Sequence, residues 1–228
     1  SEAAAKASKK RSDALPIFFA DSSIVDREIT MVHMNIIMFH QYARRRHPMT
    51  LTNEYSSFIT YLHGEVKRFG GVFESFFGDK MWISFNATSK CVNHPIAASY
   101  FAYHVTTVIN NAALRYLGEL AQVPETAHKA DMPAGDPRFA ICRYGMNCGV
   151  ATGRAFVGPL GNKTMKRHTV ISNAISEAAA LERLSLRSPG VNAMIGGDMI
   201  PAIEGYCQYL LVDATYLPGS NGKRRRVA

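Results

Sequence analysis

The sequence predicts an α+β domain, in which an antiparallel-rich sheet is covered by helices. Three observations predict this class. Residues 51–69 have the apolar spacing of an amphipathic helix, residues 69–85 alternate like the strands of a hairpin, and residues 172–185 form an Ala-rich helix after a short strand. Helices that cross between strands, with hairpins interposed, are typical of a sandwich whose helices lie on one face of the sheet.

The first elements are a short strand and a long helical stretch. Residues 16–21, PIFFAD, form an apolar run rich in aromatics, which predicts a buried strand that ends at Asp21. We expect a long helical stretch to follow. Within it, apolar residues from Leu51 to Phe69 recur on one helix face, and Gly70 ends the helix.

The hairpin has the sequence FGGVFESFFGDKMWISF, and Gly78 and Asp79 interrupt its alternation. The tip therefore carries a carboxylate. A second long helix should follow the hairpin, with Asn93 as its cap and Pro95 in its first turn.

The second half of the chain begins with a predicted long surface loop over residues 119–138, which contains prolines and has no periodicity. Beyond it we expect strands in FAICRYGMNCGV and RAFVGPLG, separated by a turn, and a strand HTVI that enters the Ala-rich helix. Short strands NAMIG and YLLVD and the segment GKRRRVA complete the chain. Residues 14–228 should form one domain, preceded by a linker or disordered lead-in over residues 1–13.

Composition limits the possible functions. No apolar run reaches the roughly 18 residues that span a bilayer, and the four cysteines include no CxxC pair, which favours a reducing compartment. The formal net charge of +8 lies partly in short basic runs, which are most often solvated surface. We expect a cytoplasmic domain, which can belong to a larger membrane-associated protein. No nucleic-acid partner is expected, because the hairpin lacks a basic and aromatic stacking motif.

Two carboxylates at strand ends suggest a metal site. If the strand that ends at Asp21 lies beside the hairpin, Asp21 and Asp79 converge. Mg²⁺ takes oxygen ligands and completes its shell with phosphate oxygens and water, and two such ions stabilise the attacking and leaving oxygens in displacement at phosphorus. A second interpretation fits the spacing equally well, with Asp79 as a turn residue and Asp21 as a helix cap.

Four segments in order resemble the catalytic domains of class III adenylyl and guanylyl cyclases. They are FFAD, GGVFESFFGD, YGMNCGVATGRAFVGPLG and HTVISNAISEAAALERLS. The resemblance implies a ferredoxin-like nucleotide cyclase fold, a head-to-tail pair of domains and active sites at their interface. It assigns Asp21 and Asp79 as ligands of Mg²⁺ or Mn²⁺, with ATP or GTP as substrate or ligand.

The same resemblance implies that part of the catalytic machinery is degenerate. Ser176 stands where the family has an Asn that orients the ribose, and Ala180 stands where it has an Arg that contacts the phosphate. Loss of one transition-state donor alone costs about 100- to 1,000-fold in rate. A symmetric pair of this chain should therefore be nearly inactive.

The nucleotide-binding positions also depart from the family pattern. Ser75 stands at the purine-selecting position and Thr169 at the second base-reading position. The glycine-containing phosphate loop is matched by Ser22, Ser23 and Ile24, and a β-branched Ile24 in place of Gly restricts the approach of phosphate to the backbone.

The degenerate pattern resembles the aspartate-bearing half of a tandem cyclase, and two hypotheses follow. In the first, the chain makes a cyclic nucleotide for intracellular signalling only with a complementary domain, and Lys163 and Arg167 contact the terminal phosphates. In the second, the chain is a pseudoenzyme that serves as a scaffold or regulatory dimerisation module, and these basic residues belong to a solvated turn. In both, the partner is a second cyclase-type domain, in a homodimer or a heterodimer.

Overall fold

A six-stranded sheet organises the fold. The computed structural model describes residues 24–124, 135–162, 164–218 and 224–228. The strand order is β2–β3–β1–β4–β5, and β6 lies beside β4. Neighbouring strands are antiparallel except for β6, which is parallel to β4. The strands of this sheet are β1 (Val25–Ile36), β2 (Gly71–Phe77), β3 (Lys80–Phe85), β4 (Met146–Gly161), β5 (Lys166–Ser172) and β6 (Ala193–Ile195).

Helices connect these strands, and a small second sheet follows them. The helices are α1 (Phe39–Ala43), α2 (Pro48–Arg68), α3 (His94–Ala121), α4 (Asn173–Ser185) and α5 (Ile200–Ile203), with 3₁₀ turns at Pro137–Cys142 and Gly197–Met199. The second sheet pairs β7 (Asp213–Tyr216) with β8 (Arg224–Val227). Among the described residues, no helix combines the length and apolar character needed to cross a membrane.

The sheet buries both of its faces, and β1 contributes to both. Val32, Met34 and Ile36 pack in the larger core with residues of α2 and α3. Ile29 and Met31 point to the other face, where they pack with residues of α4. The prediction of an antiparallel-rich α+β sheet covered by helices is confirmed. The further prediction that the helices lie on one face of the sheet was wrong, because α4 covers the second face.

The approach of α4 to β4 depends on a glycine. A Cβ at Gly149 would overlap the carbonyl oxygen of Ala178 and the amide nitrogen of Glu182, both on the backbone of α4. Gly64 and Gly118 lie inside helices, and a Cβ at either would have no neighbour within 4 Å.

We expect Gly149→Ala to lower the free energy of unfolding by about 1–3 kcal/mol, because the added methyl group forces the helix from the sheet. Urea unfolding followed by circular dichroism measures this change. As matched controls, Gly64→Ala and Gly118→Ala should stabilise the protein by about 0.5–1 kcal/mol, because Ala favours the helix. A Gly149→Ala protein as stable as these controls would contradict the packing described.

Three sequence predictions are confirmed at the level of single elements. The amphipathic helix corresponds to α2, and Gly70 follows it with a φ of 77°. The hairpin corresponds to β2 and β3, with its tip at Gly78 and Asp79. The Ala-rich helix is α4, and the Oγ of its cap Ser172 accepts a hydrogen bond from the amide of Ala174 at 3.1 Å.

The segment that follows residue 24 was predicted as helix and is instead β1. Its apolar residues alternate in two stretches, from Ile29 to Met31 and from Val32 to Ile36, whose phases differ because both faces are buried. A strand of this kind reads as a continuous apolar run, which is hard to separate from a buried helix by periodicity. The predicted strand at 16–21 and the lead-in over 1–13 lie outside the described residues.

Other boundaries differ from the prediction. The first part of the predicted strand FAICRYGMNCGV was wrong, since residues 139–142 belong to the 3₁₀ turn Pro137–Cys142. Its last part, MNCGV, and the segment RAFVGPLG belong to one strand, β4, with no turn between them. The loop predicted over 119–138 overlaps the last turn of α3 and the start of a 3₁₀ turn at Pro137. The predicted strand YLLVD was wrong, since β7 begins only at Asp213, and Asn93 precedes α3 without a side-chain cap.

Candidate functional site

The hairpin tip lies against the C-terminal end of β1. The amide of Ile36 donates a hydrogen bond to the carbonyl oxygen of Asp79 at 2.9 Å, and Asn35 is paired with Lys80 across the strands. From the other side, the hydroxyl of Tyr55 on α2 donates to the carbonyl oxygen of Gly78 at 2.7 Å. The position of the Asp79 backbone is therefore fixed by two elements.

The carboxylate of Asp79 is half-buried at this tip. No hydrogen bond or ion pair reaches it from the described part of the chain. Its negative charge acts on Tyr55, whose pKa is raised to about 12, mainly by burial and secondly by Asp79. A carboxylate that lacks a hydrogen-bond or ion-pair partner and is held by a fixed backbone turn is a candidate to bind a cation or to accept a hydrogen bond from a ligand.

The end of β1 beside Asp79 carries Asn35, a neutral amide. Its Nδ2 donates to Oε1 of Glu182 on α4 at 3.0 Å. The same oxygen accepts from Nδ2 of Asn147 on β4 at 3.1 Å, and Asn147 also donates to Oγ of Ser185 at 2.8 Å. The Asn35 amide is thereby committed to a buried polar cluster between the sheet and α4.

A histidine and a tryptophan complete this cluster. Nδ1 of His33 lies 3.5 Å from Oε2 of Glu182, and both side chains are almost fully buried. The His33 ring lies against Trp82 on β3, with ring centroids 3.9 Å apart. Within this cluster, neither ring nitrogen of His33 and neither Oδ1 atom of Asn35 and Asn147 has a hydrogen-bond partner among the described residues.

Glu182 stays ionised within this cluster. Burial alone would raise its pKa, but the nearby His33 imidazole and the hydrogen bonds from Asn35 and Asn147 outweigh it and hold the pKa below the ordinary 4.5. The stability that Glu182 contributes is therefore fully present above pH 4.5 and is lost as the pH falls through its folded-state pKa.

We expect Glu182→Gln to lower the free energy of unfolding at pH 7 by about 1–3 kcal/mol, because its buried donors lose a charged acceptor. The difference in the free energy of unfolding between wild type and variant should become smaller as the pH falls below 4.5. Urea unfolding at several pH values measures it, with Glu119→Gln on the surface of α3 as the control. A gap that widens with acid would contradict the charged state assigned to Glu182.

The described residues supply one of the two predicted metal-binding aspartates, Asp79. At the junction of β1 and the hairpin, Asp79 is the carboxylate at the tip, and Asn35 offers one neutral amide oxygen. No group of three or more His, Cys, Asp or Glu side chains suited to a metal occurs among the described residues. Mg²⁺ binding is usually anchored by carboxylates, so this junction alone is a poor site for it.

One predicted site position, Ser75, lies on the face of the sheet that α4 covers. Ser75 follows a bulge in β2 and is paired with Trp82, which is in turn paired with His33. Phe77 is paired with Lys80 on the same face. We call the exposed part of this face, formed by Ser75, Phe77 and Trp82, the hairpin face.

The two degenerate catalytic positions lie on α4, which crosses β1 and β4 on the same side of the sheet as the hairpin face. Ser176 is exposed and Ala180 is half-buried. Neither position carries a charge or an amide, so the chemistry expected from the resemblance is absent at both.

The remaining predicted positions lie elsewhere or outside the described residues. Thr169 and the exposed Arg167 are on β5, at the opposite edge of the sheet from Ser75. Ile24 comes directly before β1, so it does not belong to a loop that follows the strand. Asp21, Ser22, Ser23 and Lys163 are not among the described residues, and their assignments stay predictions.

Asn35 is the site residue that sequence reasoning missed. The strand that ends beside Asp79 is β1, and its last residues read MNI rather than a segment with a carboxylate. The turn that follows it contains Met38, which adopts a left-handed backbone with a φ of 56°. A signal was available, because the alternation in EITMVHMNI resembles a strand, but the aromatic run at 16–21 drew the assignment.

Comparison of the fold with solved structures finds nucleotide cyclases. The adenylyl cyclase CyaB from P. aeruginosa superposes with a TM-score of 0.68 at 16% identity, covering 91% of this chain and 94% of that chain. The guanylate cyclase domain of RhGC from Catenaria anguillulae, solved in complex with GTP, gives 0.64 at 14% identity, covering 91% and 96%.

A third neighbour is a dimer. The non-canonical dimeric guanylyl cyclase domain of the RhoGC fusion protein from Blastocladiella emersonii gives a TM-score of 0.60 at 12% identity, covering 91% of this chain and 97% of that chain. No protein-family model and no curated protein matches the sequence. The chain thus has the fold of class III nucleotide cyclase catalytic domains, at an identity that supports the fold alone.

Proposed function

We propose that this chain is a pairing module with the cyclase fold, which associates with a second cyclase-type domain and does not cyclise nucleotides by itself. The observation that carries the proposal is Asn35. It occupies the strand end beside Asp79, and its amide is hydrogen-bonded to Glu182. A neutral amide held in this way is a weak substitute for an aspartate that binds Mg²⁺.

The positions on α4 support the same conclusion. Cyclisation transfers charge to the phosphate, which needs a cation and a group that orients the ribose. Ser176 and Ala180 supply neither at the positions that the resemblance assigns to these roles. The fold is retained while the residues for the chemistry are replaced, which is the pattern expected of a scaffold.

Exposed apolar side chains support pairing. Phe77 on the hairpin face is 86% exposed, and the cross-strand neighbours Phe156 and Ile171 on β4 and β5 are 58% and 52% exposed. Large apolar groups at sheet surfaces are typical of contact sites between proteins. Pairing through the hairpin face would remove Phe77 from water.

A second candidate function is the metal-bearing half of a heterodimeric cyclase. It is favoured by the carboxylate of Asp79, which has no partner among the described residues, and it requires Asp21 and Asp79 to share Mg²⁺ or Mn²⁺ at a bound ATP or GTP. Asp21 lies outside the described residues, so this requirement stays a prediction.

Light scattering combined with a cyclase assay tests the proposal. A mass of two chains together with background turnover of ATP and GTP is the expected result. A monomer at all concentrations, or robust turnover that Asp79→Ala abolishes, would contradict it.

A further inference from the structure

A cavity separates α3 from the segment at residues 206–212. Its volume is about 630 Å³, and β6 and Val191 form its floor. The hydroxyl of Tyr100 on α3 donates to the carbonyl oxygen of Tyr206 at 2.6 Å and joins the two walls at one end. The size lies within the range of about 300–1,000 Å³ that small-molecule sites occupy.

The lining combines aromatic, aliphatic and neutral polar side chains. Four tyrosines contribute, namely Tyr100, Tyr103, Tyr206 and Tyr209, together with aliphatic side chains from β6 and the 206–212 segment and the amides of Asn192 and Gln208. Among the described residues that line the cavity, none has a charged side chain. A charged ligand would lose its hydration here without gaining an ion pair with any of these side chains, whereas a neutral ring system would be stabilised by burial and by ring contacts.

We propose that this cavity binds a neutral, ring-containing small molecule, with tyrosine hydroxyls and backbone groups available for one or two polar contacts. The site is separate from the pairing function, because it shares no residue with the hairpin face or with α4. It lies beside α3, which packs on the sheet face opposite to α4.

The cysteines provide a reporter for occupancy. Cys207 lines the cavity, whereas Cys91 is outside it, and both are half-buried. Cys142 and Cys148 are fully buried and should not react in the folded protein. Alkylation with N-ethylmaleimide, followed by mass spectrometry of each cysteine, therefore compares a cavity residue with an internal control.

The probe is N-phenyl-1-naphthylamine, a neutral diaryl amine whose fluorescence rises in apolar sites. We expect saturable binding at one site per chain, and a severalfold slower alkylation of Cys207 at saturation with no change at Cys91. Thr107→Trp places a large ring in the cavity from α3 and should weaken probe binding about tenfold or more. Thr60→Trp makes the same substitution on the exposed surface of α2 and should leave binding unchanged.

Three results would overturn the proposal. They are binding that does not saturate, equal binding by the Thr107→Trp and Thr60→Trp proteins, and alkylation of Cys207 that the probe does not slow. Far-ultraviolet circular dichroism of both variants shows whether each is folded. If Thr107→Trp does not fold, the comparison of Cys207 with Cys91 in the wild-type protein decides alone.

Discussion

The purified chain, incubated with ATP or GTP and either Mg²⁺ or Mn²⁺, should form no cyclic nucleotide above the rate of a sample without protein. Each missing transition-state group costs about 100- to 1,000-fold in rate, so the replacements at Ser176 and Ala180 together predict a loss of about 10⁴- to 10⁶-fold if they act independently. Asn35 at the end of β1 removes a further source of catalysis, since it does not supply a metal-binding carboxylate.

Product measured by mass spectrometry after long incubation tests this expectation. The matched control is Asp79→Ala, which should have the same background as wild type, because in this account Asp79 takes part in no reaction. A wild-type rate well above that of Asp79→Ala, with either nucleotide, would show that the tip carboxylate supports catalysis.

Phe77→Glu should convert pairs of the chain into monomers. Burial of an aromatic side chain contributes about 1.5–3 kcal/mol, which corresponds to about a 10- to 100-fold change in dissociation constant, and a buried unpaired carboxylate adds to the loss. Sedimentation velocity over a range of concentrations measures this constant. Phe77 is 86% exposed in the single chain, so the substitution should not unfold the domain.

Leu114→Glu is the matched control for the pairing surface. Leu114 is 67% exposed on α3, away from the hairpin face, and its replacement should leave the dissociation constant unchanged. If Phe77→Glu pairs as tightly as Leu114→Glu, the hairpin face is not the contact surface.

The helix α2, which has one buried face, could be predicted from the sequence, whereas β1, which has two, could not. In α2, the buried Phe58, Leu62 and Val66 follow the helical period, so its position was clear. In β1, buried residues occupy both faces, so the period of two was hidden. Because β1 was predicted as helix, Asn35 was not recognised as a residue at the strand end beside Asp79.

The buried polar cluster could not be predicted for a different reason. Glu182 meets Asn35 and Asn147 across 147 and 35 residues of sequence, and nothing local marks these side chains as partners. Asp79 was identified because a hairpin tip is a local feature with a characteristic glycine. Local features of the site were therefore accessible, whereas the contacts that commit Asn35 to Glu182 required the packing of α4 on the sheet.

We propose that the chain pairs like a cyclase domain but contributes no catalysis. Both parts are tested when the chain is mixed with a class III cyclase domain that keeps the Asn and the Arg but whose own metal-binding aspartates have been substituted, after light scattering has confirmed that a mixed pair forms. We expect cyclic nucleotide production by the mixed pair to stay at background. Turnover that appears on mixing, and is lost with Asp79→Ala or Asp21→Ala in this chain, would instead establish the chain as the metal-bearing half of an enzyme.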